Sequence, residues 1–330
     1  MRRLLSCVAA TALALALAGC SSDGRTDAAT AGTCGFGGVD VTGPDELADA
    51  LADAEPGDEI LLGPGTYDGP FGITRSGTAD APITLCGPRD AVLDGGTVDH
   101  GYGLHLDGAS YWTVRGITVT HAQKGVVLDG SSHVEIADLL VEEVGDEGIH
   151  LRAGSSHDVV RDNVVRRTGL REPDYGEGIY VGTAESNWCD LSDCEPDRSD
   201  HNEITGNTVR DTTAEAVDIK EGTTGGLLSG NDLSGPGTDA ADSVVDVKGN
   251  RWTVRGNTLR ASAADAIQVH VVVSNWGRAN RFVRNSFQLS VPGGFAVNVV
   301  GEAQEASNVV ACGQRVTPEA HGELSNVACR

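Results

Sequence analysis

Two periodicities divide this chain. Between Pro44 and Ala54, apolar residues recur at helical spacing (Leu47, Ala48, Leu51, Ala54), predicting a helix that Asp45 caps and Pro56-Gly57 stops. Beyond it the pattern runs in twos: short strands such as Glu59–Leu62, PITL and AVLDG, separated by turn pairs such as Pro64-Gly65. No later segment carries a helical pattern of comparable strength.

From Gly103 the chain repeats one unit, in which a small residue and an apolar one precede a variable residue and a second apolar one. It reads GLHL at Gly103, GVVL at Gly125, GIHL at Gly148 and GIYV at Gly178, then AVDI at Ala216, VVDV at Val244, AIQV at Ala266 and AVNV at Ala296. The steps are 22, 23, 30, 38, 28, 22 and 30 residues. A recurring minimum with longer exceptions is what a coil of three short strands gives when loops are inserted between strands. A second column keeps the same register: Asn163, Asn207, Asn231, Asn257 and Asn285, whose amides are placed to hydrogen-bond from coil to coil.

The helix followed by GDEILLGPGTY, the coil repeats and the Asn column together resemble the right-handed parallel β-helix proteins of the pectate-lyase-like superfamily, over roughly residues 43–312. The resemblance implies an all-β fold: a right-handed parallel β-helix, or solenoid, with an N-terminal capping helix. Its activity is left open, since that superfamily includes lyases, hydrolases, esterases, epimerases and phage tailspikes.

Composition adds the setting. Residues 1–19 carry Arg2 and Arg3 before a short apolar run and read as a signal peptide. Leu17-Ala18-Gly19-Cys20 resembles a bacterial lipobox, which makes Cys20 the lipidation site and residues 20–33 a flexible tether. The β-helix domain is then 34–330, lipid-anchored to the outer face of the cell membrane and expected to be a monomer. Cys34, Cys86, Cys189, Cys194, Cys312 and Cys329 remain, an even number that in an exported chain points to disulfides. Six cysteines allow fifteen connectivities; proximity favours Cys34 with Cys86, Cys189 with Cys194 and Cys312 with Cys329. Aromatics are only 4% of the chain, so small and β-branched residues must fill the core. A formal charge of −24 with no basic run argues against nucleic acid as a partner.

In register, the third and fifth positions of the units face outward on one sheet, about 4.8 Å from their counterparts. The third positions are His105, Val127, His150, Tyr180, Asp218, Asp246, Gln268 and Asn298. The fifth include Asp107, Asp129, Arg152, Lys220, Lys248 and His270, and the residue before the unit adds Glu147, Glu177, Glu215 and Asp265. A solvated face of alternating ion pairs is the plain alternative, and two points favour a site over it. Stacked like charges repel by roughly 1–3 kcal/mol at such spacing, which favours a neutral lysine or a bound cation. The longest insertions also flank Tyr180 and carry Trp188; Trp276 follows His270. The His105 and Asp107 end reads as solvated surface, and Glu221 as the start of the turn at Gly222.

The resemblance implies a polysaccharide lyase that removes the proton α to a uronate carboxylate. Lys220 or Lys248 would be the base, its pKa lowered by its neighbour and by desolvation, with Arg152 and His270 as charge neutraliser or acid. His150, Tyr180, Gln268, Trp188 and Trp276 would bind the polysaccharide. Calcium would take Glu215, Asp218 and Asp246. Two alternatives stand beside it: a glycoside hydrolase using Asp218 and Asp246 as its carboxyl pair, and a non-catalytic glycan-binding surface lipoprotein.

Overall fold

A computed structural model of the chain describes Cys34 and residues 37–235, 241–261, 265–290, 292–318 and 322–330. The expected signal peptide (1–19), the expected lipidation site Cys20 and the expected tether (20–33) lie outside the described residues. Among the described residues, three parallel sheets, one of eleven strands and two of ten, run the length of the solenoid, and each coil gives one strand to each sheet. The strands are short because a corner interrupts the chain every few residues, so the repeat of about two dozen residues closes one coil.

Alternation decides which side chains enter the core. In one sheet the second positions Val126, Ile149, Ile179, Val217, Val245, Ile267 and Val297 stack in register and are fully buried. Each such aliphatic contributes about 1.5–3 kcal/mol on leaving water. Most of the core is Val, Ile and Leu, as the composition requires, although Trp112, Trp252, Phe282 and Phe287 are also wholly enclosed. Room for Trp252 comes from Gly226, where a Cβ would lie 2.2 Å from the indole.

The Asn column forms the expected ladder. Asn207 Oδ1 accepts from the backbone N–H of Asn163 at 3.0 Å and from its Nδ2 at 2.9 Å, and the pattern repeats through Asn231, Asn257 and Asn285. Each Nδ2 also donates to a backbone carbonyl, so buried corner groups are satisfied.

The helix α1 spans Pro44–Asp53 and seats Leu47 and Leu51 at the N-terminal end of the core. Asp45 does not cap it. Gly43 holds the N-cap position, and Glu46 turns back to accept from the Thr42 N–H and hydroxyl at 3.0 and 3.1 Å. The disulfides join Cys34 to Cys86, Cys189 to Cys194 and Cys312 to Cys329, the pairing that proximity favours, in keeping with export.

Candidate active site

The third positions pair as the repeat predicts: Val127 with His105 and His150, His150 with Tyr180, Tyr180 with Asp218, Asp218 with Asp246, and Asp246 with Gln268. The face they form is not solvated, however. Asp218 is 1% exposed, His150 3% and Asp246 5%. The inserted loops around Arg171–Tyr175 and Thr183–Leu191 wall a cavity of about 490 Å³ over this part of the sheet, into which Lys124, His150, Arg152, Glu177, Tyr180 and Lys220 project. The solvated-face reading fails because those insertions wall the stretch from His150 to Lys220, and Asp218 and Asp246 are buried in ion pairs with Lys220 and Lys248.

The charges of the column are interleaved. Lys220 Nζ lies 2.7 Å from Asp218 Oδ2, while Lys248 Nζ reaches Asp218 Oδ1 at 3.0 Å and Asp246 Oδ2 at 2.6 Å. Burial works against both ammonium charges, yet the adjacent carboxylates more than offset it and hold both lysine pKa values above the ordinary one. The expectation of a lysine with lowered pKa is thereby corrected: Asp218 keeps Lys220 and Lys248 as cations. Arg152 is gripped by Asp129, Nε to Oδ1 at 2.6 Å and a terminal nitrogen to Oδ2 at 3.0 Å. His105 Nε2 meets the same Asp129 at 2.8 Å, so the end taken as solvated surface is joined to the site through that carboxylate.

His150 and Tyr180 are the neutral partners. Burial lowers the His150 pKa despite the pull of Glu147, and its Nε2–H points at the Gly182 carbonyl, 2.9 Å away. Nδ1 then carries the lone pair; it is itself buried, has no hydrogen-bond partner and faces Glu147 Oε1 at 3.5 Å. Tyr180 sits edge-on to this ring with centroids 4.3 Å apart, and the Lys220 ammonium lies 5.1 Å from the Tyr180 centroid. Burial, reinforced by the Asp218 charge, raises the Tyr180 pKa well above the usual phenol value, so the hydroxyl keeps its proton.

Lys124 is a cavity residue that the sequence reading missed. It precedes Gly125 just as Glu147 precedes Gly148, so the column before the unit contains its signal. It pairs with Glu147. Burial opposes the Glu147 charge, while the Lys124 ammonium helps to hold its pKa below the ordinary carboxylate value.

Among the described residues, Glu177, Glu215 and Asp218 form a group whose carboxylate oxygens lie within 4.8 Å of one another. Asp246, expected among the calcium ligands, is not in that set; its carboxylate faces Lys248 and, at 3.5 Å, His270. Burial and the Asp218 charge push Glu177 well above and Glu215 up to about 8, both toward the neutral acid. Both oxygens of Asp218 already accept from lysine ammonium groups. A hard cation needs six to eight oxygen ligands, and this group fits one poorly, because two fixed ammonium charges stand against its central carboxylate.

The remaining expected residues lie off the cavity. Gln268 donates to Asp265 at 3.0 Å and contacts His270 Nε2 at 2.8 Å; these two, with Asp246 and Lys248, form a polar row beside the cavity and do not line it. Trp188 does not present its face to a ligand: it is buried and donates its ring N–H to the Thr183 carbonyl at 2.9 Å. Glu221 is likewise buried and anchors the same insertion by accepting the Glu185 N–H at 2.8 Å. Trp276 is half-buried in the loop after His270.

The family described as Pel9A-like, right handed beta helix region, matches residues 28–168. The crystal structure of an alginate lyase from Paenibacillus sp. str. FPU-7 is 36% identical and superposes with a TM-score of 0.81, covering 87% of this chain and 98% of that one. Pectate lyase L of Dickeya chrysanthemi is 29% identical over 145 residues, 39% of this chain, and the chain spans about a third (34%) of that curated relative. The crystal structure of pectate lyase Pel9A, 16% identical with a TM-score of 0.63 over 86% of this chain and 73% of that one, shares the fold.

Proposed function

The chain belongs to the pectate-lyase-like superfamily of right-handed parallel β-helices, and on that footing we propose that it is a polysaccharide lyase cleaving a uronate polymer by β-elimination, with alginate as the first substrate to test. One observation carries the reading: a walled cavity sets the cations Lys220 and Arg152 beside a neutral imidazole and a protonated phenol. The 36% identity to an alginate lyase along nearly the whole of that relative supports the choice of polymer.

In this scheme Lys220 and Arg152 meet the uronate carboxylate and stabilise the charge that builds on it as the α-carbon loses its proton. His150 accepts that proton, and Glu147, 3.5 Å from its Nδ1, steadies the imidazolium that forms. The freed electron pair forms the C4–C5 double bond, the C4–oxygen bond breaks, and the Tyr180 hydroxyl proton passes to the departing glycosidic oxygen. Returning the proton from His150 to Tyr180 resets the site. Lys248, Asp246 and His270 act from behind, holding Asp218 and through it Lys220. Calcium has no part in these steps.

The hydrolase alternative is less well supported, since Asp218 is tied to two ammonium groups and Asp246 lies off the cavity. Acylation of Cys20 would keep the enzyme at the outer membrane face, and mass spectrometry of the mature N-terminus reads it directly. The activity test incubates the full chain with polymannuronate, polyguluronate, pectate and hyaluronan, with and without chelator. Ultraviolet absorbance of an unsaturated uronate, unaffected by chelator, is expected from alginate. Silence on all four polymers refutes the lyase reading.

A further inference from the structure

Trp276 stands apart from the other three tryptophans. Trp112, Trp188 and Trp252 are buried, and their ring N–H groups donate to Arg75 O at 2.7 Å, Thr183 O at 2.9 Å and Thr223 Oγ1 at 3.1 Å. Trp276 is only half-buried, and its ring N–H has no protein acceptor among the described residues. A large aromatic left partly in water with an unused donor suits a face that is wet on one side and meets a ligand.

The loop that carries it is pinned. Gly277 N–H donates to the Lys248 carbonyl at 2.7 Å, Trp276 N–H to Val273 O at 3.1 Å, and the Asn250 amide holds Asn275 O and Arg278 N–H, each at 3.0 Å. A Cβ at position 277 would come within 1.9 Å of the His270 carbonyl, and φ there is +68°, so glycine is what allows this approach. Trp276 is thus set in advance beside the strand ends that carry Lys248 and His270.

Its ring borders a cleft of about 420 Å³, with Ser274, Asn275, Arg278, Glu302 and Glu305 around it. Arg198, fixed by Asp200 at 2.7 Å, lies over the indole 5.8 Å from its centroid, which takes one face of the ring and leaves the other for a ligand. An aromatic plate with an exposed guanidinium and carboxylates at its rim matches a pyranose. The C–H face stacks on the ring, hydroxyls donate to Glu302 and Glu305, and a uronate carboxylate meets Arg278.

We infer that the Trp276 cleft is a distal sugar-binding subsite for the same polysaccharide, reached from the cavity past Lys220, Lys248 and His270. The inference rests on the lyase reading and adds to it a dependence on chain length.

The experiment compares the full chain with Trp276→Ala and Trp276→Phe on alginate polymer and on the shortest oligomer that is cleaved. Trp276→Ala should raise KM for the polymer about tenfold, equivalent to roughly 1.4 kcal/mol of binding, with kcat and the short-oligomer KM unchanged, and Trp276→Phe should restore most of the loss. An unchanged polymer KM, or an equal rise at both lengths, overturns the subsite. Tryptophan fluorescence titrated with uronate oligosaccharides reads the cleft without turnover. Quenching that disappears in Trp276→Ala supports the subsite even if no product forms, in which case the lyase reading alone fails; no quenching by any oligomer overturns the subsite.

Discussion

Lys248 bridges two carboxylates on neighbouring coils, its Nζ lying 3.0 Å from Asp218 Oδ1 and 2.6 Å from Asp246 Oδ2. Both aspartates are buried and the lysine is largely covered, so the ammonium is what allows two aspartates to stack in register. Lys248→Met should therefore cost roughly 3 kcal/mol of unfolding free energy in urea at pH 7, because a buried carboxylate loses its counter-charge. Adding Asp246→Asn should recover part of that loss. An Asp246→Asn change that deepens the loss instead would contradict the bridge.

Tyr180 and His150 are assigned the proton transfers, and Lys220 only a charge. Tyr180→Phe and His150→Gln should each lower kcat by about a hundredfold or more with KM little altered. Lys220→Met should impair both constants, and Lys220→Arg should retain more activity than Lys220→Met because it keeps the charge. Were Lys220 the base, arginine would be no better than methionine. Steady-state kinetics on the responsive polymer separates the two schemes.

The strand register, the Asn ladder and the charged column are legible in the sequence because each follows from a period of two inside a repeat, and stacking turns sequence offset into spatial neighbourhood. Lys124 follows the same rule and is found by extending the column one coil toward the N-terminus. What is not legible is whether the column is wet or covered. The insertions around Tyr175 and Trp188 have no periodicity, so their fold over the sheet depends on contacts such as Glu221 to Glu185 N–H that no spacing encodes. The lysine pKa values follow from rotamers: one direction of Nζ relieves Asp218, and another would have left the lysine unpaired.

The ladder makes a separate claim about stability. Asn231 Nδ2 donates to Ile204 O and Asn257 Oδ1, and its Oδ1 accepts from Asn207 N and Nδ2. Asn231→Ala removes both roles within the core and leaves buried backbone and amide groups unpaired, at about 1–3 kcal/mol for each group that water cannot reach. Urea denaturation should show a loss on the order of 3 kcal/mol. An effect below about 1 kcal/mol would mean that water replaces the amide.

Asp158 gives the fold a pH dependence of its own. It occupies a ladder position otherwise held by Asn202 and Asn280, accepting the Val134 N–H on Oδ1 at 2.9 Å while its other oxygen is buried without a partner. Burial raises its pKa to about 8, only partly opposed by that backbone hydrogen bond. An unfolded aspartate ionises near ~3.9, so between that pH and about 8 the folded chain binds a proton that the unfolded chain has released. Stability through this group must then fall as pH rises across that window. Asp158→Asn, neutral at every pH and able to donate from Nδ2, should stabilise the protein by on the order of 2 kcal/mol at pH 7. Below pH 4 the gain should shrink toward zero, since both side chains are then uncharged in both states. Thermal or urea unfolding of the two proteins from pH 4 to 8 measures it, and a gain that does not grow with pH would show that Asp158 is ionised in the fold.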